Sequence, residues 1–470
     1  MDLIIKNGTL VDNNGCYQAN LAIAEGKIKA IFMGNKHFQA EQIIDASKKM
    51  VLPGVVDPHV HFQLQDLGKI ISTDTFASGT QAAACGGVTT IIDFADQTRG
   101  ESPLKGFYER KRDADSQVAI DYSLHVSKTD IEFLDEIPTL ITEGVTSFKF
   151  FTTYSWRNLD LNDAELLKLF KEVKKCRGMV MGHCENDAMI INYRDELIQE
   201  GKTDPIFHAH SHPHIAEEEA FQKVLLFAKR TGVHLHLAHI TTKEGSDLLH
   251  QAKQQGLMAT GETCPHYLVL NEGDYKGSEG YLNLMSPPLR HAKDQQALLN
   301  RVTDNTIDQI VTDHCEFSRV SKGNGYLPFH QVLNGIPGIE TSLSLMHDLL
   351  VNKHRLTYPQ LVSLMSSAPA KIFGLYPQKG SLMVGTDADL VIFDPCIEKR
   401  ITPEILHYSI DWNPYTDMKI KGWPVMTLLR GYVLSEDGDF VGPQNEGKFL
   451  KRSHKGNLRN KKAYLGVQGY

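Results

Sequence analysis

Eight apolar, strand-like runs alternate with helical patterns between residues 51 and 313. Eight such units over this length are typical of a (β/α)8 barrel. The alternative is a doubly wound open sheet, but no GxGxxG motif opens a helix after any of these runs. The pattern therefore predicts an α/β fold with a TIM-like barrel. Its strands are expected at 51–61, 89–94, 119–126, 145–151, 179–183, 234–239, 258–262 and 307–313.

Two of the helical patterns have clear ends. Residues 163–177 carry an apolar stripe at helical spacing, with Asp163 as the predicted N-cap and Gly178 as the stop. Residues 216–231 begin with three glutamates, which favour a helix N-terminus, and end at Gly232.

Both ends of the chain have a different pattern, which predicts short strands separated by turns. We expect them to pair into one smaller β-sandwich domain beside the barrel. The predicted division is 1–52 and 376–447 for the sandwich and 53–375 for the barrel. The basic tail, 448–470, is interpreted as a solvated or partner-packed extension without chemistry. Its cationic residues are Lys451, Arg452, Lys455, Arg459, Lys461 and Lys462.

Composition and charge argue against several functional classes. The 470 residues are 41% hydrophobic and 23% charged, with a net charge of −8, so nothing favours nucleic-acid binding. No apolar run approaches the roughly 20 residues needed to cross a bilayer, and no signal peptide is expected. Seven cysteines without a CxxC pair suit a reducing cytoplasm, where we expect the protein to reside.

Polar residues gather where the predicted strands end. His59 and His61 are two residues apart, so both would project from the same face of the first strand. His183, His239 and Asp313 lie at the ends of the fifth, sixth and eighth strands. The carboxyl ends of barrel strands share one edge, where barrel active sites lie. Together these residues indicate a divalent-metal site, although each alone is more often a packed or hydrogen-bonded residue.

Lys149 stands among aromatic residues in the fourth predicted strand. Burial removes hydration from an ammonium and lowers its pKa from about 10.4. A neutral amine can take up CO2 to give a carbamate, and this carboxylate could bridge two metal ions. The competing interpretation is a lysine whose charged end reaches solvent at the barrel rim.

Six ordered motifs resemble those of the cyclic amidohydrolases, and within them the hydantoinase/dihydropyrimidinase branch. The resemblance runs nearly from end to end of the chain. The motifs are Pro-Gly-x-x-Asp-x-His-x-His at 53–61, Ser147-Phe148-Lys149, Gly182-His183-Cys184-Glu185, Leu237-Ala238-His239-Ile240-Thr241-Thr242, Glu262-Thr263-Cys264-Pro265-His266-Tyr267-Leu268 and Thr312-Asp313-His314.

The resemblance implies a binuclear metal-dependent hydrolase that opens hydantoins or dihydropyrimidines to N-carbamoyl amino acids. It implies a small cyclic amide as the partner, two divalent metal ions, and a homotetramer. Zinc is expected, with manganese and nickel open because histidine and carboxylate ligands suit several metals. The implied ligands are His59, His61 and Asp313 for the more buried ion, His183 and His239 for the second, and carboxylated Lys149 for both.

The same resemblance implies the other roles in the site. Asp313 would carry the proton from the attacking water to the leaving nitrogen, and Tyr154 would stabilise the oxyanion. Backbone groups of Ser286 and Asn334 would hold the ring imide. His236 matches no ligand position and is expected to support or pack against the site.

Three alternatives stay open to different degrees. Dihydroorotase would carry an arginine after its HxH motif, whereas Phe62-Gln63-Leu64-Gln65 follows here. Allantoinase is harder to separate, although Tyr154 and the strand at 89–94 fit the hydantoinase pattern better. A dihydropyrimidinase-related scaffold protein would have lost metal ligands, and all of them are present here. The ring substituent and the stereospecificity stay open, because loops near 62–72 and 152–160 decide them.

Overall fold

Strands form a parallel barrel, a second sheet built from both chain ends, and a short hairpin. The computed structural model describes residues 1–13, 15–34, 38–66, 69–70, 72–354 and 356–453. In chain order the strands are β1 (Leu3–Asp12), β2 (Gly15–Ala24), β3 (Lys27–Phe32), β4 (Gln42–Asp45), β5 (Met50–Pro53), β6 (Val55–Asp57), β7 (Gln65–Asp66), β8 (Lys69–Ile70), β9 (Val88–Asp96), β10 (Asp121–Ser127), β11 (Ser147–Phe151), β12 (Met179–His183), β13 (His234–Leu237), β14 (Ala259–Thr263), β15 (Gln309–Ile310), β16 (Leu390–Arg400), β17 (Lys419–Leu429), β18 (Tyr432–Glu436) and β19 (Asp439–Phe440).

The barrel strands, β6 and β9 to β15, pair side by side in the order of the sequence. A parallel bridge between Val60 and His314 joins the two ends of this path. At the same place the His61 amide donates to the His314 carbonyl at 2.9 Å. The predicted TIM-like barrel, with a separate domain from both chain ends, is confirmed.

The second sheet follows the order β19-β18-β17-β16-β5-β1-β2-β3, with β4 beside β1. Antiparallel pairing of β16 with β5 unites the two ends of the chain. Buried Lys379 connects this sheet to the barrel. Its Nζ lies 2.5 Å from Asp121 on β10 and 2.6 Å from Asp389, which precedes β16.

The first predicted strand, 51–61, is divided between the two sheets at Gly54. Residues up to Pro53 pair in the second sheet, and Val55–Asp57 pairs in the barrel. A Cβ atom at position 54 would lie 2.0 Å from Thr89 Oγ1, so a larger residue would push the chain away from β9. The eighth predicted strand, 307–313, keeps only Gln309–Ile310 as regular pairing.

Both helices predicted with clear ends are present. The N-cap of the first is Asn162 rather than Asp163, because the Asn162 side chain accepts from the amides of Ala164 and Glu165. Gly232 ends the second with φ of 71°.

No helix in the described part of the chain is both long and apolar enough to cross a membrane. The helices are α1 (Phe76–Cys85), α2 (Pro103–Ala114), α3 (Ile137–Glu143), α4 (Asp163–Lys175), α5 (Asp187–Gln199), α6 (Ile206–Ser211), α7 (His214–Thr231), α8 (Lys243–Gln254), α9 (Pro265–Val269), α10 (Ala292–Thr303), α11 (Ser342–Met346), α12 (Tyr358–Val362) and α13 (Ala368–Ile372), with π-helical turns at His347–Lys353 and Ser363–Ser367.

Residues 447–453 pack against the N-terminal end of the barrel strands. The Leu450 amide donates to the Tyr122 carbonyl at 2.7 Å. Arg452 is only 2% exposed, and it donates to Ser123 Oγ at 2.9 Å, to Ser147 Oγ at 2.7 Å and to the Leu124 carbonyl. For these residues the interpretation as a solvated or partner-packed extension is wrong, because hydroxyl and carbonyl acceptors from β10 and β11 satisfy the guanidinium. The other predicted tail cations, Lys455, Arg459, Lys461 and Lys462, lie outside the described residues.

We expect Arg452→Met to destabilise the protein by about 3 kcal/mol, because three buried acceptors would lose a charged donor. The midpoint of urea unfolding measures this loss. Lys451→Met is the matched control, since the adjacent Lys451 side chain is exposed and forms only a surface ion pair with Glu143. Equal midpoints for the two variants would show that the buried guanidinium contributes little.

Candidate metal centre

Residues from five barrel strands meet at the C-terminal edge of the barrel. Ring centres are 5.3 Å apart for His59 and His61, 5.5 Å for His59 and His239, and 4.6 Å for His183 and His239. The structure therefore brings together all four histidines predicted as ligands. The six predicted ligands are His59 and His61 after β6, Lys149 in β11, His183 in β12, His239 after β13 and Asp313 after β15.

Asp313 lies against both histidines of the first strand. Its Oδ1 is 3.2 Å from His59 Nε2 and 3.2 Å from His61 Nε2. One donor atom from each of His59, His239 and Asp313 lies within 4.8 Å of the other two. Asp313 therefore lies close both to His59, expected on one ion, and to His239, expected on the other.

Glu262 fixes the orientation of His59. Its Oε1 accepts from His59 Nδ1 at 2.5 Å, and its Oε2 accepts from His236 Nε2 at 2.9 Å. With the proton of neutral His59 on Nδ1, the Nε2 lone pair faces Asp313. Burial alone would raise the pKa of Glu262, but His59 and His236 hold it well below its usual range. His236 therefore holds the carboxylate that orients His59.

His183 has a carboxylate partner, whereas one nitrogen of His239 has none. His183 Nε2 lies 2.9 Å from Glu185 Oε2, and Glu185 Oε1 lies 2.8 Å from His212 Nδ1. The buried Nδ1 of His239 has no hydrogen-bond partner among the described residues. Such an unpaired buried group costs about 1–3 kcal/mol, and its presence indicates a ligand position.

Lys149 is buried between two aromatic rings. It is 2% exposed, and its Nζ lies 5.3 Å from the ring centre of Phe94 and 5.7 Å from that of Phe151. No described carboxylate forms an ion pair with it. Burial lowers the pKa of the amine, although Asp313 and Glu262 oppose this change. The burial contradicts the competing interpretation of a side chain that reaches solvent.

The charge state of these residues suits a divalent cation. Burial lowers the pKa of His59, His183 and His239, which leaves their imidazoles neutral with lone pairs to offer. Burial alone would raise the pKa of Asp313, but the adjacent histidines hold it well below its usual range. Neutral imidazoles with a carboxylate form a donor set that Zn²⁺ and similar ions accept. The residues therefore fit a metal centre.

Three further groups of metal-ligating residue types in the described part of the chain are explained without a metal. In the first, the ammonium of Lys379 occupies the space between the carboxylates. In the second, His314 Nδ1 accepts from the Gly338 amide and its Nε2 faces Glu316 at 2.8 Å, so both nitrogens are used. In the third, His407 Nδ1 pairs with Glu340 at 2.7 Å. The groups are Asp121, Asp387 and Asp389; Asp74, His314 and Glu316; and Cys85, Glu340 and His407.

Of the residues predicted to contact substrate, Tyr154 adjoins this centre. The Tyr154 ring lies 4.9 Å from the His183 ring, measured between centres. Burial raises the pKa of Tyr154, so its hydroxyl stays protonated at neutral pH, and Ser286 lies close enough to oppose that rise. Asn334 is exposed, and the amide of the next residue, Gly335, donates to the carbonyl of Leu284 at 2.9 Å.

Three of the predicted site residues adopt left-handed backbone conformations. The φ angle is 72° at Tyr154, 32° at His239 and 49° at Asp313. Such angles are uncommon outside glycine, cost about 1–3 kcal/mol each, and persist only where the surroundings hold them. Each of these residues follows a barrel strand, so the strained turns direct side chains into the site.

Two buried glutamates had no predicted role, although the pattern contained a signal for both. Glu262 ends the seventh predicted strand, at the edge where the other strands supply ligands. Glu185 follows His183 by two residues. Metal-binding histidines usually donate their second nitrogen to a carboxylate, so a carboxylate at this edge is an expected partner.

Comparisons with known proteins agree with one another over nearly the whole chain. The sequence model of the amidohydrolase family matches residues 50–434. The D-hydantoinase of Ralstonia pickettii is 39% identical over 460 residues, which cover 96% of this chain and 99% of that protein. A crystal structure of a D-hydantoinase has a TM-score of 0.93 at 38% identity, and that of the dihydropyrimidinase from Brevibacillus agri 0.94 at 33% identity. Both cover 96% of this chain and 99% of the solved one.

We expect Glu262→Gln to weaken retention of a divalent metal about ten- to a hundredfold, because an amide no longer fixes the proton on His59 Nδ1. Dialysis against a graded chelator, followed by metal analysis, measures this. Glu340→Gln is the matched control, since Glu340 is also buried and paired with a histidine away from the centre. The role of Glu262 would be refuted by equal retention in the two variants.

Proposed function

This chain belongs to the amidohydrolase family, and on that premise we propose that it is a cyclic amidohydrolase of the hydantoinase/dihydropyrimidinase type. The reaction is hydrolysis of the cyclic amide bond in hydantoins or dihydropyrimidines, which yields N-carbamoyl amino acids. The strongest support is the convergence of His59, His239 and Asp313 near the buried amine of Lys149. Similarity to D-hydantoinases and to a dihydropyrimidinase supports the substrate class.

The proposed cofactor is a pair of zinc ions. When bound, such ions polarise a carbonyl and lower the pKa of a water nucleophile towards neutrality. The Lys149 ammonium would first lose one proton, and the resulting neutral amine would form a bond to the carbon of CO2 and release a second proton, which leaves a carboxylate in place of the cation. The proposed ligands are His59, His61 and Asp313 for one ion, His183 and His239 for the other, and carboxylated Lys149 for both.

Asp313 and Tyr154 supply the proton and hydrogen-bond chemistry. Asp313 is anionic before the reaction, so it can accept the proton of the attacking water and pass it to the leaving ring nitrogen. The protonated hydroxyl of Tyr154 can donate to the oxygen on which negative charge develops. Backbone groups of Ser286 and Asn334 would hold the ring imide in place.

The assembly, the location and the domain division are further proposals. A homotetramer and a cytoplasmic location rest on the resemblance and on the composition. The division at 52/53, 375/376 and 447/448 rests on the sequence pattern.

A turnover panel tests the substrate class. We expect hydrolysis of dihydrouracil and 5-substituted hydantoins, and no hydrolysis of allantoin or dihydroorotate. For dihydroorotate the reason is physical, since no arginine follows His61 to pair with a ring carboxylate. Chromatography of the products measures turnover, and metal is counted in the same sample. A chain that opens none of these rings and purifies without two metal ions would be a scaffold protein instead.

The same metal-loaded sample tests the carbamate. Native mass spectrometry should detect one added CO2 per chain in the wild type and none in Lys149→Met. A wild type with two metals and full turnover but no added CO2 would contradict this part of the proposal.

We expect Asp313→Asn to lower kcat about 100- to 10,000-fold at saturating metal, because an amide cannot accept the proton. Asp308→Asn is a control on the outside of the barrel, where Asp308 pairs with Lys253 at 2.7 Å. It should retain kcat. Near-normal turnover by folded Asp313→Asn would refute the assigned role.

A further inference from the structure

Lys322 is fully buried, yet no described carboxylate neutralises it. Its exposure is 0%, and burial lowers the pKa of its amine to about 7. Its Nζ donates to the Leu284 carbonyl at 2.8 Å and lies 5.7 Å from the ring centre of Trp412. Burying an amine without a compensating charge is unfavourable. The bond from Lys322 to the Leu284 carbonyl therefore indicates a role for this side chain that offsets the cost of burial.

The Leu284 carbonyl is a junction between chain segments. Besides the Lys322 amine, it accepts the amide of Gly335 at 2.9 Å. The residue after Gly335, Ile336, accepts from the amide of Cys315 at 3.1 Å. Lys322 therefore bonds the carbonyl at which the segments that carry Ser286 and Asn334 meet, and the segment of Asn334 in turn bonds the one that carries Asp313.

Other buried side chains hold the same segment on either side of Ser286. His208 Nε2 bonds the Met285 carbonyl at 2.8 Å, and the Tyr267 hydroxyl donates to the Pro287 carbonyl at 2.6 Å. The Tyr275 hydroxyl accepts from the Leu289 amide at 2.8 Å. The backbone amide and carbonyl of Ser286 bond no described residue, and the proposed function assigns them to the ring imide.

We propose that Lys322 is a positioning residue for the ring substrate. It does not touch the substrate: by donating to the Leu284 carbonyl, it fixes the Leu284–Met285 peptide, one residue before Ser286, and through the same carbonyl the Gly335 amide that follows Asn334. This inference rests on the proposed function, because the ring imide is the group that those backbone atoms would bind. Small misplacements of such binding groups weaken a complex strongly, since the hydrogen bonds depend on distance and angle.

Lys322→Met removes every donor and keeps the length of the side chain. We expect the KM for the ring that the wild type opens best to rise about tenfold, with kcat within about threefold, because substrate and transition state lose the same contacts. Metal content should equal that of the wild type. Lys253→Met is the control: it loses a bond from a lysine to a carbonyl, Thr306 at 2.6 Å, together with the ion pair to Asp308, and Lys253 lies on outer helix α8. Its KM should not change.

Lys322→Gln is a second variant in case the first fails to fold. Its amide ends one bond short of the ammonium position and should not reach the Leu284 carbonyl, so KM should rise here as well. A wild-type KM in either folded variant overturns the proposal. So does a joint loss of kcat and metal with KM unchanged, which is the result expected of a structural residue.

Failure of both Lys322 variants to fold, with Lys253→Met folded, would also overturn a role confined to positioning. Turnover by the wild type distinguishes failure of the proposed function from failure of the positioning role. If it opens no ring in the panel, the proposed function fails and this inference fails with it. If it opens rings, the KM values of the Lys322 variants decide the positioning role alone.

Discussion

Pairing of the first barrel strand with the last is the interaction on which the site depends. The His61 amide donates to the His314 carbonyl, and the Asp57 carboxylate accepts from the amide and the hydroxyl of Thr312, at 3.3 and 2.6 Å. Asp57 and Thr312 are separated by 255 positions in the sequence. Asp57 stands two residues before His59 and four before His61, and Thr312 directly precedes Asp313. Closing the barrel therefore places the two histidines in contact with Asp313. Closure of the barrel thus brings together the residues of the candidate metal centre.

Desolvation gives this assembly its chemical character. In water the histidines would titrate near neutrality, but burial lowers the pKa of His59, His183 and His239 and keeps them neutral. The same burial would raise the pKa of Asp313, but the adjacent His59, His61 and His239 hold it well below its usual range. Lys149 differs from these residues, because a protonated amine beside the candidate ligands would repel divalent cations. Carboxylation would reverse the sign of that charge, which is why the proposed carbamate and the proposed pair of ions require each other.

Alternation of side chains along strands made most of the site predictable. Each predicted ligand stood near the end of an apolar run, and a barrel places those ends at one edge. What could not be predicted depends on pairing between distant segments. The division at Gly54 arises from contact with Thr89, and the burial of Arg452 depends on acceptors in β10 and β11. Nothing local distinguishes Arg452 from the exposed Lys451 beside it. Asn162 and Asp163 are both good caps, and only the geometry decides between them.

Lys322 and Arg452 show how a buried basic side chain can hold the chain in place. Both are buried basic side chains, neither pairs with a carboxylate among the described residues, and both donate to neutral oxygens of the chain. A carboxylate would pair with the cation and leave fewer donors for the backbone, whereas carbonyl acceptors tie the charge directly to the position of a peptide group. The left-handed turns at Tyr154, His239 and Asp313 need such fixed surroundings, because each would relax if the neighbouring chain could move. Burying a basic side chain on neutral acceptors costs desolvation, and in return it fixes peptide groups, next to Met285 for Lys322 and at the opposite, N-terminal end of the barrel for Arg452.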